Sequence, residues 1–224
     1  MAPTPTSTPW PQPSTPAPRP YVFSFQVIRE WSWGYGEYSI GQEEAIGFAG
    51  SHERLPAPLE YLKGVRLRSD NRSGEVFMYI FRRLDGFKRS TWYRAYFTIR
   101  VATNAPIGCG SLEGAPGESV TLKAGATTGQ PIMRVRDRRV ISDFDKGNHA
   151  SSGAESVVLG NIAGTQIDCA GPRSYEIKTL GSASGVPVQT DAEGRLWLYI
   201  GTDSAFFGVT DIYILEGSIE FAPQ

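Results

Sequence analysis

Cysteine, histidine and methionine are all scarce in this chain of 224 residues, which has two, two and three of them. Two cysteines cannot build a multiply stapled scaffold. The two histidines, His52 and His149, lack the close or paired spacing of a zinc site. A net charge of −1 leaves no basic surplus, which argues against a nucleic-acid partner, because phosphate binding needs one. No apolar run approaches the roughly 20 residues of a transmembrane helix. No stretch of helix length carries an apolar stripe of 3.6-residue period, so helices are not expected to build the core. No Ser-x-Gly or Cys-His context marks a catalytic nucleophile.

What is abundant comes first at the N-terminus. Residues 1–20 (MAPTPTSTPWPQPSTPAPRP) hold eight of the sixteen prolines. Proline fixes φ and removes a donor, so this stretch cannot join a ladder or a helix. It reads as a polyproline-II tether reaching on the order of 60 Å at about 3 Å per residue. Its composition is similar to the spacers that follow the lipidated cysteine of bacterial lipoproteins. That resemblance implies an exported, surface-tethered protein with a lipid anchor upstream. An oxidising compartment would let Cys109 and Cys169 pair as a disulfide; two free buried thiols are the alternative.

From Tyr21 onward, β-branched and aromatic residues are cut by Gly, Pro, Asn and Asp. Candidate strands span 21–29, 62–69, 75–82, 91–103, 118–124, 132–136, 156–160, 174–180, 195–201 and 211–221. Ten short strands with dense turn signals predict an all-β fold, with residues 21–224 forming one two-sheet antiparallel β-sandwich. The strand number suits a jelly roll better than a seven-stranded immunoglobulin-like domain.

Three of these strands carry two different apolar faces. In 76–81 the aliphatic set Val76, Met78 and Ile80 alternates with Phe77, Tyr79 and Phe81. In 92–101 the set Tyr93, Ala95, Phe97, Ile99 and Val101 alternates with Trp92, Arg94, Tyr96, Thr98 and Arg100. In 195–200 Leu196, Leu198 and Ile200 alternate with Arg195, Trp197 and Tyr199. Successive strand side chains face opposite ways, and a half-exposed strand normally alternates apolar with polar. The aliphatic sets are therefore expected to face the core. If 75–82 and 91–103 pair as neighbours and 195–201 joins the same sheet, Phe77, Tyr79, Trp92, Arg94, Tyr96, Arg100, Trp197 and Tyr199 form one aromatic–arginine platform. Aromatic rings stack on the C–H face of a pyranose, and a guanidinium binds hydroxyls or a carboxylate. The opposing expectation is that this face is covered, with segment 30–61 and its Trp31, Trp33, Tyr35 and Tyr38 as the lid.

Two stretches carry a family resemblance. Residues 84–97 (LDGFKRSTWYRAYF) look like the run that opens a long core strand in fibronectin type III domains and carbohydrate-binding jelly rolls, with Tyr93 at the tyrosine. Residues 208–221 (GVTDIYILEGSIEF) resemble the closing strand of bacterial carbohydrate-binding modules, with Leu215 where those often carry a calcium-holding aspartate. The resemblance implies a fold class and not a ligand; the aromatic–arginine face makes non-catalytic recognition of a carbohydrate or cell-surface polymer the expected role. A structural or adhesion domain that binds protein is the alternative.

DFDKGN places Asp143, Asp145 and Asn148 as candidate ligands for a structural calcium, but Gly147 stands where a further acidic ligand is needed. No other cofactor is expected. RVRDRR (134–139) reads as a solvated strand edge that discourages edge pairing. No E-x-D-x-x-E-type acidic motif occurs on any strand, which makes a glycan hydrolase the least favoured reading.

Overall fold

The computed structural model describes residues 19–224, so the proline-rich segment 1–18 and any anchor above it lie outside the described residues. The strands are β1 (Tyr21–Ser24), β2 (Ser32–Gly36), β3 (Tyr38–Ser39), β4 (Ala49–Arg54), β5 (Lys63–Asn71), β6 (Phe77–Leu84), β7 (Trp92–Thr103) and β8 (Val120–Thr127). They continue with β9 (Met133–Arg136), β10 (Arg139–Ser142), β11 (Ser156–Asn161), β12 (Glu176–Gly181), β13 (Val186–Gln189), β14 (Leu196–Ser204) and β15 (Gly208–Pro223). One short helix, α1 (Glu43–Ile46), interrupts them. Each of the ten expected strands is present; β2, β3, β4, β10 and β13 are additions.

Sheet one runs β12-β7-β15-β5-β4, with β1 beside the second half of β15 and β13 beside the first half of β7. Sheet two runs β11-β8-β14-β6-β2, and a small third sheet runs β3-β10-β9. All pairings are antiparallel. Eight of the strands, β5, β6, β7, β8, β11, β12, β14 and β15, fall into two four-stranded layers, β5-β15-β7-β12 and β6-β14-β8-β11. Numbered one to eight, the layers read 1-8-3-6 and 2-7-4-5, which is jelly-roll topology. The two additional edge strands, β2 and β4, come from segment 30–61.

The aliphatic sets face inward as the alternation predicts. Tyr93, Ala95, Phe97, Ile99 and Val101 of β7 are buried, as are Met78 and Ile80 of β6 and Leu196, Leu198 and Ile200 of β14. They belong to one continuous core cluster. The pairing of β6 with β7 does not occur: β6 lies in sheet two and β7 in sheet one. Both strands carry a strongly aliphatic face, and the two faces meet across the core rather than side by side. The seven residues between Leu84 and Trp92 carry the chain from one layer to the other.

A disulfide joins Cys109 to Cys169, two residues 60 apart in sequence with Cα atoms 5.5 Å apart. It ties the loop after β7 to the loop before β12. Closing a loop of this length contributes about 4 kcal/mol by chain entropy. No helix among the described residues is long and apolar enough to cross a membrane.

Leu198 is fully buried on β14, the central strand of sheet two. Leu198→Ala should lower unfolding stability by about 2–5 kcal/mol, read from urea denaturation.

Candidate functional site

The aromatic rings expected to share one face are divided between the two outer surfaces of the sandwich, and the surfaces differ. On sheet two, Phe77, Tyr79 and Tyr199 point outward from the core yet are 0%, 3% and 0% exposed. Phe144 packs against all three, with ring centroids 6.3, 5.9 and 4.7 Å away. Phe81 and Met133 complete this second apolar layer. The Tyr79 hydroxyl donates to the Pro131 carbonyl at 3.1 Å, and Tyr199 donates to the Glu155 carbonyl at 3.0 Å. Burial pushes the Tyr79 phenol up to about 12 and raises Tyr199 as well. Both phenols therefore stay neutral. Gly125 makes the Tyr199 position available, since a Cβ there would sit 2.3 Å from the ring.

The cover is thus segment 131–156, including the β9–β10 hairpin, to whose sheet 30–61 adds β3, while the rest of 30–61 has a different job. Trp31 is buried against Phe23 and Phe25, Tyr35 stacks on Tyr38 and Phe48, and β2 and β4 extend the sheets. Phe77, Tyr79 and Tyr199 accordingly cannot meet a ligand. Trp197 is partly buried and packs on Phe81, with centroids 6.1 Å apart.

The calcium loop is the tip of this cover. Phe144 enters the aromatic layer, while the flanking acids point elsewhere. Asp143 accepts from Arg134 at 2.6 Å and Arg136 at 3.3 Å. Asp145 accepts the backbone N–H groups of Ala154 (2.8 Å) and Gly147 (3.0 Å). No group of three His, Cys, Asp or Glu side chains that could hold a metal ion forms among the described residues. β9, with its arginines, is the edge strand of the third sheet, as the basic run suggested.

Sheet one keeps an open outer face. Trp92, Arg94, Tyr96, Thr98 and Arg100 project from β7 in a row, with Trp92 49% and Tyr96 37% exposed. Trp92 and Tyr96 are four residues apart on one strand face, roughly 13 Å. Arg94 is held in place: its guanidinium donates to the Gly185 carbonyl at 3.1 Å and, with the Gln224 amide oxygen turned toward it, to Gln224 at 2.8 and 3.0 Å. β12 and β13 pair with the two halves of β7, and the break between them falls beside Tyr96. Gly185 sits in that break, where a Cβ would lie 2.2 Å from Arg94 Cγ and 2.8 Å from the Tyr96 ring.

Beyond Tyr96 the row runs into a cavity of about 310 Å³ between β1 and β12. Thr98, Arg100, Thr179, Glu216 and Ser218 line it, with Val22 and Ser24 on the β1 side. Arg100 forms an ion pair with Glu216. Farther along the same face, Arg66 grips Asp211 through two hydrogen bonds of 2.8 and 2.5 Å, and Tyr213 donates to Glu53 at 2.9 Å. Leu215, at the β-bulge of β15, is buried there with Tyr175 and Tyr213. An apolar residue serves that packing where the resembled modules carry aspartate. Sequence reasoning named the arginines and rings of β7 but missed the cavity, because Thr179, Glu216 and Ser24 come from three distant segments.

No family model and no curated protein matches the chain. Several solved chains of similar fold are carbohydrate-binding modules, and the resemblance is weak. The family 11 carbohydrate-binding module of the cellulosomal cellulase Lic26A-Cel5E of Clostridium thermocellum is 13% identical with a TM-score of 0.40, covering 92% of this chain and 95% of that one. The mannan-recognising module TmCBM27 is 11% identical with a TM-score of 0.41, covering 92% of this chain and 100% of that one. The enzymatically active domain of tailspike protein 4 of bacteriophage CBA120 is 11% identical with a TM-score of 0.35; the match covers 90% of this chain but 20% of the phage chain.

The loop Asp145 closes has a pH signature. Hydrogen bonds from Ala154 and Gly147 hold its carboxyl below the ordinary value of 3.8. A lowered folded-state pKa contributes stability that is present above the unfolded value and lost as pH falls through the folded one. In thermal melts of wild type and Asp145→Asn from pH 2 to 7, the gap between the two should be steady near neutrality. It should close below about pH 4.

Proposed function

We propose that the outer face of sheet one recognises carbohydrate, with an extended saccharide lying along β7. The observation that carries this reading is the open row itself. Trp92 and Tyr96 present rings for stacking on sugar C–H faces, and the row leads into a largely apolar cavity whose lining includes Ser and Thr residues, one arginine and one carboxylate. Trp and Tyr supply large contact area with little conformational entropy to lose. Arg94, already fixed by Gly185 and Gln224, gives up little freedom on meeting a ligand. Contacting both rings requires a ligand spanning roughly 13 Å, hence an oligomer or polymer rather than a single sugar. The weak likeness to carbohydrate-binding modules points the same way, but the reading rests on the rings and the cavity.

The role is recognition rather than cleavage. Of the outward carboxylates of β15, Glu216 and Glu220 flank the β7 row and stand four residues apart, roughly 13 Å, while Asp211 is held by Arg66. Paired glycosidase carboxylates need about 5–10 Å. Glu216 is also engaged by Arg100. Export to an oxidising compartment fits the Cys109–Cys169 disulfide, since such bonds persist outside the reducing cytosol. Surface tethering through residues 1–20 belongs to the same proposal and rests on composition alone.

A glycan array with the full chain, compared with Trp92→Ala and Tyr96→Ala, tests the reading. Each variant should weaken glycan binding by about tenfold or more, a loss of 1.4 kcal/mol. Each should also leave stability within about 0.5 kcal/mol, as surface substitutions do. Undiminished binding in both variants, or no glycan bound by the wild type, sinks the proposal.

A further inference from the structure

Opposite the open face, beneath the 131–156 cover, lies a cluster of ionisable side chains that carbohydrate recognition does not use. Asp203 of β14 is 1% exposed and receives two lysines on one oxygen. Lys123, from the neighbouring strand β8, reaches Oδ2 at 2.9 Å, and Lys146, from the covering loop, reaches it at 2.8 Å. Glu37, just after β2, places Oε1 4.0 Å from the Lys146 amine. His149 Nδ1 lies 3.9 Å from the other oxygen, Oδ1, and is buried with no hydrogen-bond partner. The Phe77 ring stands 5.3 Å from the Lys146 amine.

The two lysines are not equivalent. Lys123 has all three N–H donors engaged, by the Lys146 carbonyl (2.9 Å), the Ser151 carbonyl (3.0 Å) and Asp203. Lys146 has Asp203 and a longer bond of 3.2 Å to the Gly147 carbonyl, with Glu37 beside it. A carboxylate, an amine and a second carboxylate that can take the amine's proton therefore meet in a water-poor, aromatic-walled site. Keeping charges there is costly, and joining them covalently removes two. Held together by the fold, the pair reacts as an intramolecular one, where alignment supplies much of the driving force.

We propose that Lys146 and Asp203 condense into an intramolecular amide that fastens the covering loop to sheet two. Glu37 relays one proton from the Lys146 ammonium to Asp203 Oδ1, and the freed lone pair bonds to Cγ of the neutral carboxyl so formed. The Cγ–Oδ1 bond then breaks, and that oxygen, already carrying the relayed proton, leaves as water with a second proton shed by the nitrogen. Ammonium and carboxylate become amide and water, with no other reactant. Lys123 donates to Oδ2 and stabilises the negative charge that gathers on it as Cγ becomes tetrahedral. His149 faces the departing oxygen. The water has an exit in the adjoining hollow of about 510 Å³ lined by Glu37, Phe144, Lys146 and Asn148.

The test is the intact mass of the full chain, denatured and with its disulfide reduced, followed by peptide mapping. The expected mass is one water below that of the sequence, with a linked peptide pair containing Lys146 and Asp203. Lys146→Arg, which keeps the charge but removes the amine, and Glu37→Gln should both have the full sequence mass. A wild-type chain of full mass overturns the proposal. So does loss of water without a linked pair, the mark of a cyclised aspartate, and a pair linked through Lys123 overturns the assignment to Lys146. Because the wild type alone decides the matter, a variant that fails to fold leaves the result intact.

Discussion

The packing of Phe144 onto Phe77, Tyr79 and Tyr199 is the contact on which the arrangement of this protein depends. β6 and β14 carry aromatic rings on their outward face as well as aliphatic residues on the inward one, so one face meets sheet one and the other needs a second cover. The 131–156 segment provides it, inserting one ring and one lysine. β8 and β14 are thereby buried on both sides, as the central strands of three-layered folds are. Among the polar groups that come with this burial, both tyrosine hydroxyls reach carbonyls and Lys123 finds three acceptors, whereas His149 Nδ1 has no partner. Left unmatched, each would cost on the order of 1–3 kcal/mol.

This asymmetry divides the labour between the two surfaces. Sheet two's outer face is committed to structure and holds its charges beneath a lid. Sheet one's outer face has no such layer over its β7 row, so Trp92 and Tyr96 remain in solvent. The same residue types thus have opposite roles. An outward ring on β6 or β14 lies beneath the cover, whereas an outward ring on β7 is surface. The break between β12 and β13 adds to the open face, since a continuous strand bearing a side chain at Gly185 would collide with Arg94 and Tyr96.

The loop DFDKGN shows how motif and context part. Its two aspartates resemble a cation loop, yet each is satisfied by donors on hand, one by arginines and the other by backbone N–H groups. Its functional weight lies in the residues between and after them, Phe144 and Lys146. Spacing alone points to the oxygens. Only the partner strands show that the ring and the amine are what the fold requires.

Alternation of residues along the strands was enough to specify the class of fold, the inward faces of β6, β7 and β14, and the row Trp92, Arg94, Tyr96, Thr98 and Arg100 on one face of β7. Side-chain direction on a strand is a local property with a period of two, so it is written in consecutive residues. Which sheet each strand joins is not local. The sequence is compatible with β6 beside β7 as well as across from it, because seven connecting residues permit either. The tertiary structure alone placed them in opposite layers, and it laid 131–156 rather than 30–61 over the aromatic rings. It also brought Thr179, Glu216 and Ser24 to one cavity, and Lys123, Lys146, Glu37 and Asp203 to one buried cluster. Those groupings follow from long-range pairing, where residues more than a hundred positions apart become neighbours and no local pattern records the meeting.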